Sequence, residues 1–217
     1  MPGAVDFLGS PDSSGSRRLS AAMLSEVVGP RWLAQTERPS RLTDVDFASL
    51  PVELRLLLIH DGTLTTALEA YQLAPITADV IGQDDVLLEP EYAGWLHAAP
   101  GTPAVRRSTM LRHRITGRLL VQCEVHLLVE RLPAGFLEVL ASCDKGLGAA
   151  FGQLRIETRR ELLWYGRSPM VGLSDPDRLT SGGSGVSRGY RLILGSTPIC
   201  CIEEIFPDAV IRDSSEG

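Results

Sequence analysis

The sequence predicts an α+β fold in which short helices pack on antiparallel strands, and three observations carry that prediction. Apolar residues recur at helical spacing in short windows, most clearly between 50 and 72 and between 133 and 154. Strand-like segments follow one another with no helix between them, at 105–112 and 119–129 and again at 190–194 and 199–206. The polar Ile115-Thr116-Gly117 turn joins the first two as a hairpin, which a parallel sheet would not need. At 217 residues the chain buries one sizeable core, and no internal repeat asks for a second domain.

Residues 1–20 are rich in Gly, Ser, Pro and Asp and carry no apolar run, so they read as a flexible leader and not as a signal peptide. A single domain is expected over 21–210, followed by a flexible tail over 211–217. Met23, Leu24, Val27 and Val28 predict a short helix over 21–33, before a polar stretch rich in Arg, Pro and Thr. From Leu50 the periodicity sharpens: Pro51 suits the first turn of a helix carrying Leu54, Leu57 and Leu58. His60-Asp61-Gly62 ends it, with Gly62 suited to a left-handed stop. Thr63 offers an N-cap to a second helix, 64–72, with Leu64, Ala67, Leu68 and Tyr71 on its apolar face.

A strand is predicted over 76–81, then a loop over 83–103 of acidic and Pro/Gly character. The hairpin follows, its second strand alternating Leu119, Val121, Cys123, Val125 and Leu127 on one face. Pro133 opens a helix with Phe136, Leu137 and Leu140 inward, and Leu147-Gly148 opens another carrying Phe151 and Leu154. Strands over 155–164, 190–194 and 199–206 complete the set, with a Gly/Ser/Asp-rich loop over 174–187.

Composition removes several functions. The formal charge of −6 argues against a general nucleic-acid binder, and any anionic ligand must be met by local arginines against that field. Lys145 is the sole lysine among 21 basic residues, so Schiff-base or pyridoxal chemistry would have to use it. Cys123, Cys143, Cys200 and Cys201 form no Cys-x-x-Cys pair, and His60, His97, His113 and His126 show no ligand spacing. A cytosolic protein without metal or cofactor is the expectation. No stretch approaches the ~20 apolar residues of a membrane span.

Three places break the rules of a simple core. Arg107 alternates with Val105, Thr109 and Leu111, on the more apolar face of its strand, while Arg106 and Arg112 fall on the solvated one. A buried guanidinium is costly unless an anion meets it, so Arg107 either binds a carboxylate from outside or pairs with an internal Glu. Glu203-Glu204 lies in a strand apolar on both faces, so at least one carboxylate points into a buried region, unless this is an edge strand reaching water. Periodicity does not choose between the two glutamates. Lys145-Gly146-Leu147-Gly148 precedes a helix, where free backbone N–H groups favour an anion, yet it fits no phosphate-loop or dinucleotide pattern. No Gly-x-Ser-x-Gly elbow, His-Glu-x-x-His motif or Cys–His nucleophile pair is found.

Other segments stand in a telling order. Leu56-Leu57-Leu58-Ile59-His60-Asp61-Gly62-Thr63-Leu64-Thr65 comes first, then Arg107, Glu130-Arg131-Leu132-Pro133, Leu147-Gly148 and Arg155-Ile156-Glu157-Thr158. Ser187-Arg188-Gly189-Tyr190-Arg191 follows, and Thr197-Pro198-Ile199 through Glu204-Ile205-Phe206-Pro207 closes the series. In order and spacing this resembles the chorismate pyruvate-lyase family, in its actinobacterial-type branch, over about three quarters of the chain.

The resemblance implies a chorismate lyase-like α+β fold with a six-stranded antiparallel sheet, short helices and flaps that enclose an internal ligand site. It implies a cofactor-free elimination of pyruvate from the dianion chorismate, leaving 4-hydroxybenzoate. Arg107 matches the arginine that binds the ring carboxylate, and Glu204 matches the glutamate at the other end of the ring; these are the candidate catalytic residues. Leu147, with Gly148 beside it, matches backbone that helps hold the ligand, and Leu64 stands in a flap where some members carry Met. Arg188 matches a recurring arginine to which no role attaches. On this basis Glu204, as a neutral acid, donates to the ether oxygen while Arg107 anchors the ring.

Two other readings are kept. A relative recruited to another cofactor-free reaction, such as a cyclisation in secondary metabolism, would share the fold, and Leu64, the 174–187 segment and the leader favour it. A ligand-sensing module of a transcription regulator would need a DNA-binding region ahead of the fold, for which about 50 residues are too few. A monomer is expected, because no apolar stripe is left over once the core is assigned.

Overall fold

The strands Ile76–Leu87 (β1), Pro103–His113 (β2), Leu119–Leu127 (β3), Arg159–Pro169 (β4), Ser184–Leu194 (β5) and Thr197–Pro207 (β6) form one sheet. Its order is β1-β2-β3-β6-β5-β4, and every neighbouring pair is antiparallel. The structure is a computed structural model and describes residues 26, 28–143, 146–169 and 184–208. The predicted leader, the predicted tail, Lys145 and most of the predicted 174–187 loop lie outside those residues.

The sheet is two three-stranded halves joined where β3 pairs with β6. Helices Val52–Ile59 (α1), Leu64–Gln72 (α2), Phe136–Ser142 (α4) and Leu147–Gln153 (α5) bury Leu54, Leu58, Leu64, Leu68, Phe136 and Phe151 against one face. The other face is covered by Pro90–Trp95 (α3) and by the chain around Ala34 and Leu42, over Leu163, Trp164 and Cys201. Strands buried on both sides read as continuous apolar runs, and β6 is buried from Pro198 to Pro207. The segment before α1 also caps the β4 edge: Leu33 and Ala34 N–H donate to the Leu162 and Leu163 carbonyls, and Thr43 and Arg167 exchange a pair of backbone bonds.

Several elements differ from their predicted form, each for a physical reason. Of the helix expected over 21–33, the described part is helical at Glu26 and Val28 with π character and then tightens into the 3₁₀ turn Gly29–Arg31, which stops where Trp32 is extended. Gly62 has no positive φ; α1 ends with His60 extended, and the His60 ring lies against Gly62. Thr63 caps α2 by position, but its hydroxyl makes no capping bond. β1 is twice its predicted length, since Gln83, Asp84 and Asp85 belong to an edge strand bulged between Val80 and Gly82 and paired with Arg107, Arg106 and Val105. The remainder of the predicted loop holds α3, with Pro90 in its first turn.

α4 begins at Phe136 and not Pro133, because Gly135 adopts φ +78° before it. β4 starts four residues later than predicted and runs on to Pro169, while 184–187, read as loop, are the first residues of β5. Cys123, Cys143, Cys200 and Cys201 are free and buried.

Candidate functional site

Strand register decides which side chains meet. Across the sheet, Gln83, Arg107, Val125, Ile202, Tyr190 and Leu162 form one row of directly paired positions. The next row on the same face is Thr109, Cys123, Glu204 and Arg188. Arg107 and Glu204 are therefore two strand spacings and one pleat apart, about 12 Å between backbones. Their side chains line one cavity, together with Thr63, Leu64 and Thr65 at the start of α2 and Gly146, Leu147 and Gly148 at the start of α5. All five residues singled out in the sequence, Leu64, Arg107, Leu147, Gly148 and Glu204, are brought together here.

The two helix starts close over the sheet against each other. Gly146 turns the chain with φ +81°, and a Cβ on Gly148 would stand 2.8 Å from Thr63 Cγ2. Only a glycine lets these walls approach so closely.

Arg107 is 7% exposed, and its Nη1 donates to Gln83 Oε1 at 2.7 Å. Among the described residues it has no carboxylate partner, so the internal Glu considered from the sequence is replaced by a neutral amide. Burial pulls its pKa down, as expected of a cation without a counter-charge. A guanidinium held this way on a cavity wall keeps charge and donors that an external anion could use.

Glu204 is 3% exposed and has its partners already. Oε2 accepts from Arg188 Nε at 2.7 Å and Oε1 from the Tyr190 hydroxyl at 2.8 Å. Both oxygens act as acceptors, which is the arrangement of a carboxylate and not of a carboxylic acid. These two accepted bonds favour the ionised form over the neutral donor that the family resemblance implies. Arg188 is fully buried, and its Nη1 donates to the carbonyls of Leu57, Leu58 and His60 at the end of α1. This arginine, without a role at the level of sequence, pins α1 to the sheet and holds Glu204 in place. Tyr190 is pushed well above the ordinary phenol range by burial and then by Glu204.

Glu203 points to the opposite face. It pairs with Arg41 and accepts from Ser187 Oγ at 2.8 Å, and burial raises its pKa against the pull of Arg41. Beside it His126 stacks on Tyr92 at 3.9 Å between ring centroids. Burial, then Arg106 and Arg41, hold the His126 pKa down to about 4. Neither glutamate reaches water, because β6 is central and not an edge.

Sequence reading missed Arg160, which lines the cavity from β4. Its Nη1 donates to the Asp61 carbonyl at 2.7 Å, and its guanidinium lies 5.4 Å from the Tyr190 ring centre. The strand predicted over 155–164 contains both Arg160 and Leu162, so their alternation was the signal that could have placed it on the inner face.

A family model described as chorismate pyruvate-lyase, Rv2949c-like, matches residues 58–212, more than half of the chain. A chorismate pyruvate-lyase of Mycobacterium leprae (strain TN) is 27% identical over 175 residues, 80% of this chain and 82% of its own length. One of Mycobacterium tuberculosis (strain ATCC 25618 / H37Rv) is 29% identical over 180 residues, 80% of this chain and 88% of its own. Among solved structures, the effector domain of PhnF from Mycobacterium smegmatis aligns with a TM-score of 0.48 at 17% identity, over 68% of this chain and 90% of that one. That likeness is too slight to argue from.

Proposed function

The chain belongs to the Rv2949c-like chorismate pyruvate-lyase family, and on that premise we propose that it eliminates pyruvate from chorismate to leave 4-hydroxybenzoate, with no cofactor. The observation that carries this reading is the pairing, on one cavity wall, of a buried arginine lacking a counter-ion with a buried glutamate that already has one.

The reaction breaks the C3–O bond, removes the proton on C4 and makes the ring aromatic. The three-carbon fragment takes up one proton and leaves as pyruvate, so the atoms of the two products sum to those of chorismate. No electron acceptor is needed, because aromatisation drives the elimination. The protein has to fix the ring and favour loss of the C4 proton.

In this reading Arg107 receives the ring carboxylate, and backbone of Leu147 and Gly148 supports the same end. Leu64 packs on the ring. Glu204, held as an anion by Arg188 and Tyr190, accepts the hydrogen bond of the C4 hydroxyl and sets negative charge beside the departing proton.

Purified protein incubated with chorismate alone is expected to yield 4-hydroxybenzoate and pyruvate in equal amounts by chromatography, and Arg107→Ala to abolish both. No turnover by folded protein would overturn the proposal.

A further inference from the structure

Charge bookkeeping on the cavity wall leaves a residue without a task. Glu204 is balanced by Arg188, which is bound to it directly. Arg107 and Arg160 remain, and among the described residues neither has a carboxylate partner. The wall thus presents two uncompensated positive charges, whereas binding a single ring carboxylate needs one.

Arg160 stands opposite Leu192, in the row that runs through Cys200 and Leu127 to Val105, so it shares the inner face with Arg107 and Glu204. Arg107 on β2 and Arg160 on β4 are four strand spacings apart, about 20 Å between backbones. Their side chains nevertheless line the same cavity, from its two ends, with β6 and Glu204 between them. The Arg160 Nε is buried and has no hydrogen-bond partner among the described residues. Such a donor costs free energy in the empty site and is satisfied when an acceptor arrives.

We infer that Arg160 binds the second carboxylate of a dianionic substrate, the one on the three-carbon fragment, and so distinguishes substrate from the monoanionic aromatic product. The inference rests on the lyase reading for the identity of the substrate. Its physical content is narrower: the cavity is built for two carboxylates at opposite ends. Arg107 holds the one that stays on the ring, and Arg160 the one that departs. Because Arg160 also bonds the Asp61 carbonyl in the corner between α1 and α2, the departing fragment lies beneath that corner.

Steady-state kinetics on Arg160→Gln test this against a purely structural role as a pin for the corner. Loss of a charge-assisted bond to a carboxylate is expected to raise KM for chorismate about ten- to a hundredfold. Inhibition by 4-hydroxybenzoate, which lacks the second carboxylate, should stay within about twofold, and Arg160→Lys should recover part of the loss. If chorismate and 4-hydroxybenzoate weaken together, or neither weakens, the inference is overturned.

If the wild type turns over no chorismate, the lyase reading has failed by itself. Calorimetric titration with 3-(carboxymethoxy)benzoate and 4-hydroxybenzoate then decides the remaining point. A preference for the dicarboxylate that disappears in Arg160→Gln supports the two-carboxylate cavity, and equal affinities in the wild type refute it.

Discussion

Replacing Arg188 by Met removes a charge committed to four hydrogen bonds among the described residues. Arg188 is 0% exposed. It gives one hydrogen bond to Glu204 and three to carbonyls at the end of α1. Met fills a similar volume but leaves Glu204 without its counter-charge and those carbonyls without the Arg188 donor. Breaking a buried pair from one side costs about 3–5 kcal/mol, and loss of the Nη1 donor to the Leu58 and His60 carbonyls pushes the value to the upper end of that range. Set against a domain stability of about 5–15 kcal/mol, the variant should still fold but melt far earlier. The double variant Arg188→Met with Glu204→Leu removes both charges and should recover at least about 2 kcal/mol of the loss. Urea titration followed by tryptophan fluorescence reads this directly, since Trp164 is fully buried beneath the same strands. A loss below about 1 kcal/mol in the single variant, or no recovery in the double, would refute the assignment of Arg188 as the counter-ion.

Three further outcomes are expected. Arg107→Met should abolish ligand binding while leaving the melting temperature unchanged or raised, because it removes a buried cation that lacks a counter-charge in the free protein; thermal melts with and without 4-hydroxybenzoate check both halves. Gly148→Ala should lower activity by driving its methyl into Thr63, 2.8 Å away, and Thr63→Ser, which deletes the Cγ2 in question, should restore it in the double variant. His126 titrates near 4 when folded and near 6.5 when unfolded, so the unfolded chain binds more protons between those values and stability falls as pH drops through that window. The contribution is about 3 kcal/mol. Glu124 and Glu203, raised by burial, act in the opposite sense, so the measurement is the difference between wild type and His126→Phe in urea titrations from pH 7 to pH 4.

Legibility in the sequence followed the strength of local pattern. α2 is found residue for residue, because a turn residue, a cap position and an apolar face all agree over 64–72. The β2–β3 hairpin is found for the same reason. β1 was cut short because half of an edge strand faces water and carries Gln83, Asp84 and Asp85, which look like loop residues when the partner strand is unseen. Arg107 was legible as a misplaced charge on an apolar face. Glu203 and Glu204 were legible only as a pair, since period-two alternation puts one on each face and says nothing of which face holds a cavity. The partners were out of reach. That Arg188 would answer Glu204 and Gln83 would answer Arg107 depends on the exact register of paired strands, and that Arg41 would answer Glu203 depends on where a loop 162 positions away is laid.

The join between β3 and β6 bears on how the protein acquires its site. Each half of the sheet contains a local hairpin, β2–β3 in one and β5–β6 in the other, and these close over short loops. The β3–β6 ladder pairs Gln122 through Leu127 with residues about 80 positions later, so its high contact order is expected to make it the slow step of folding. Arg107 and α2 belong to the first half, Glu204, Arg188 and Arg160 to the second. An intermediate with both halves formed but unjoined would own every residue of the cavity and no cavity at all. Binding competence should therefore emerge with the final kinetic phase of refolding, after most secondary structure is in place.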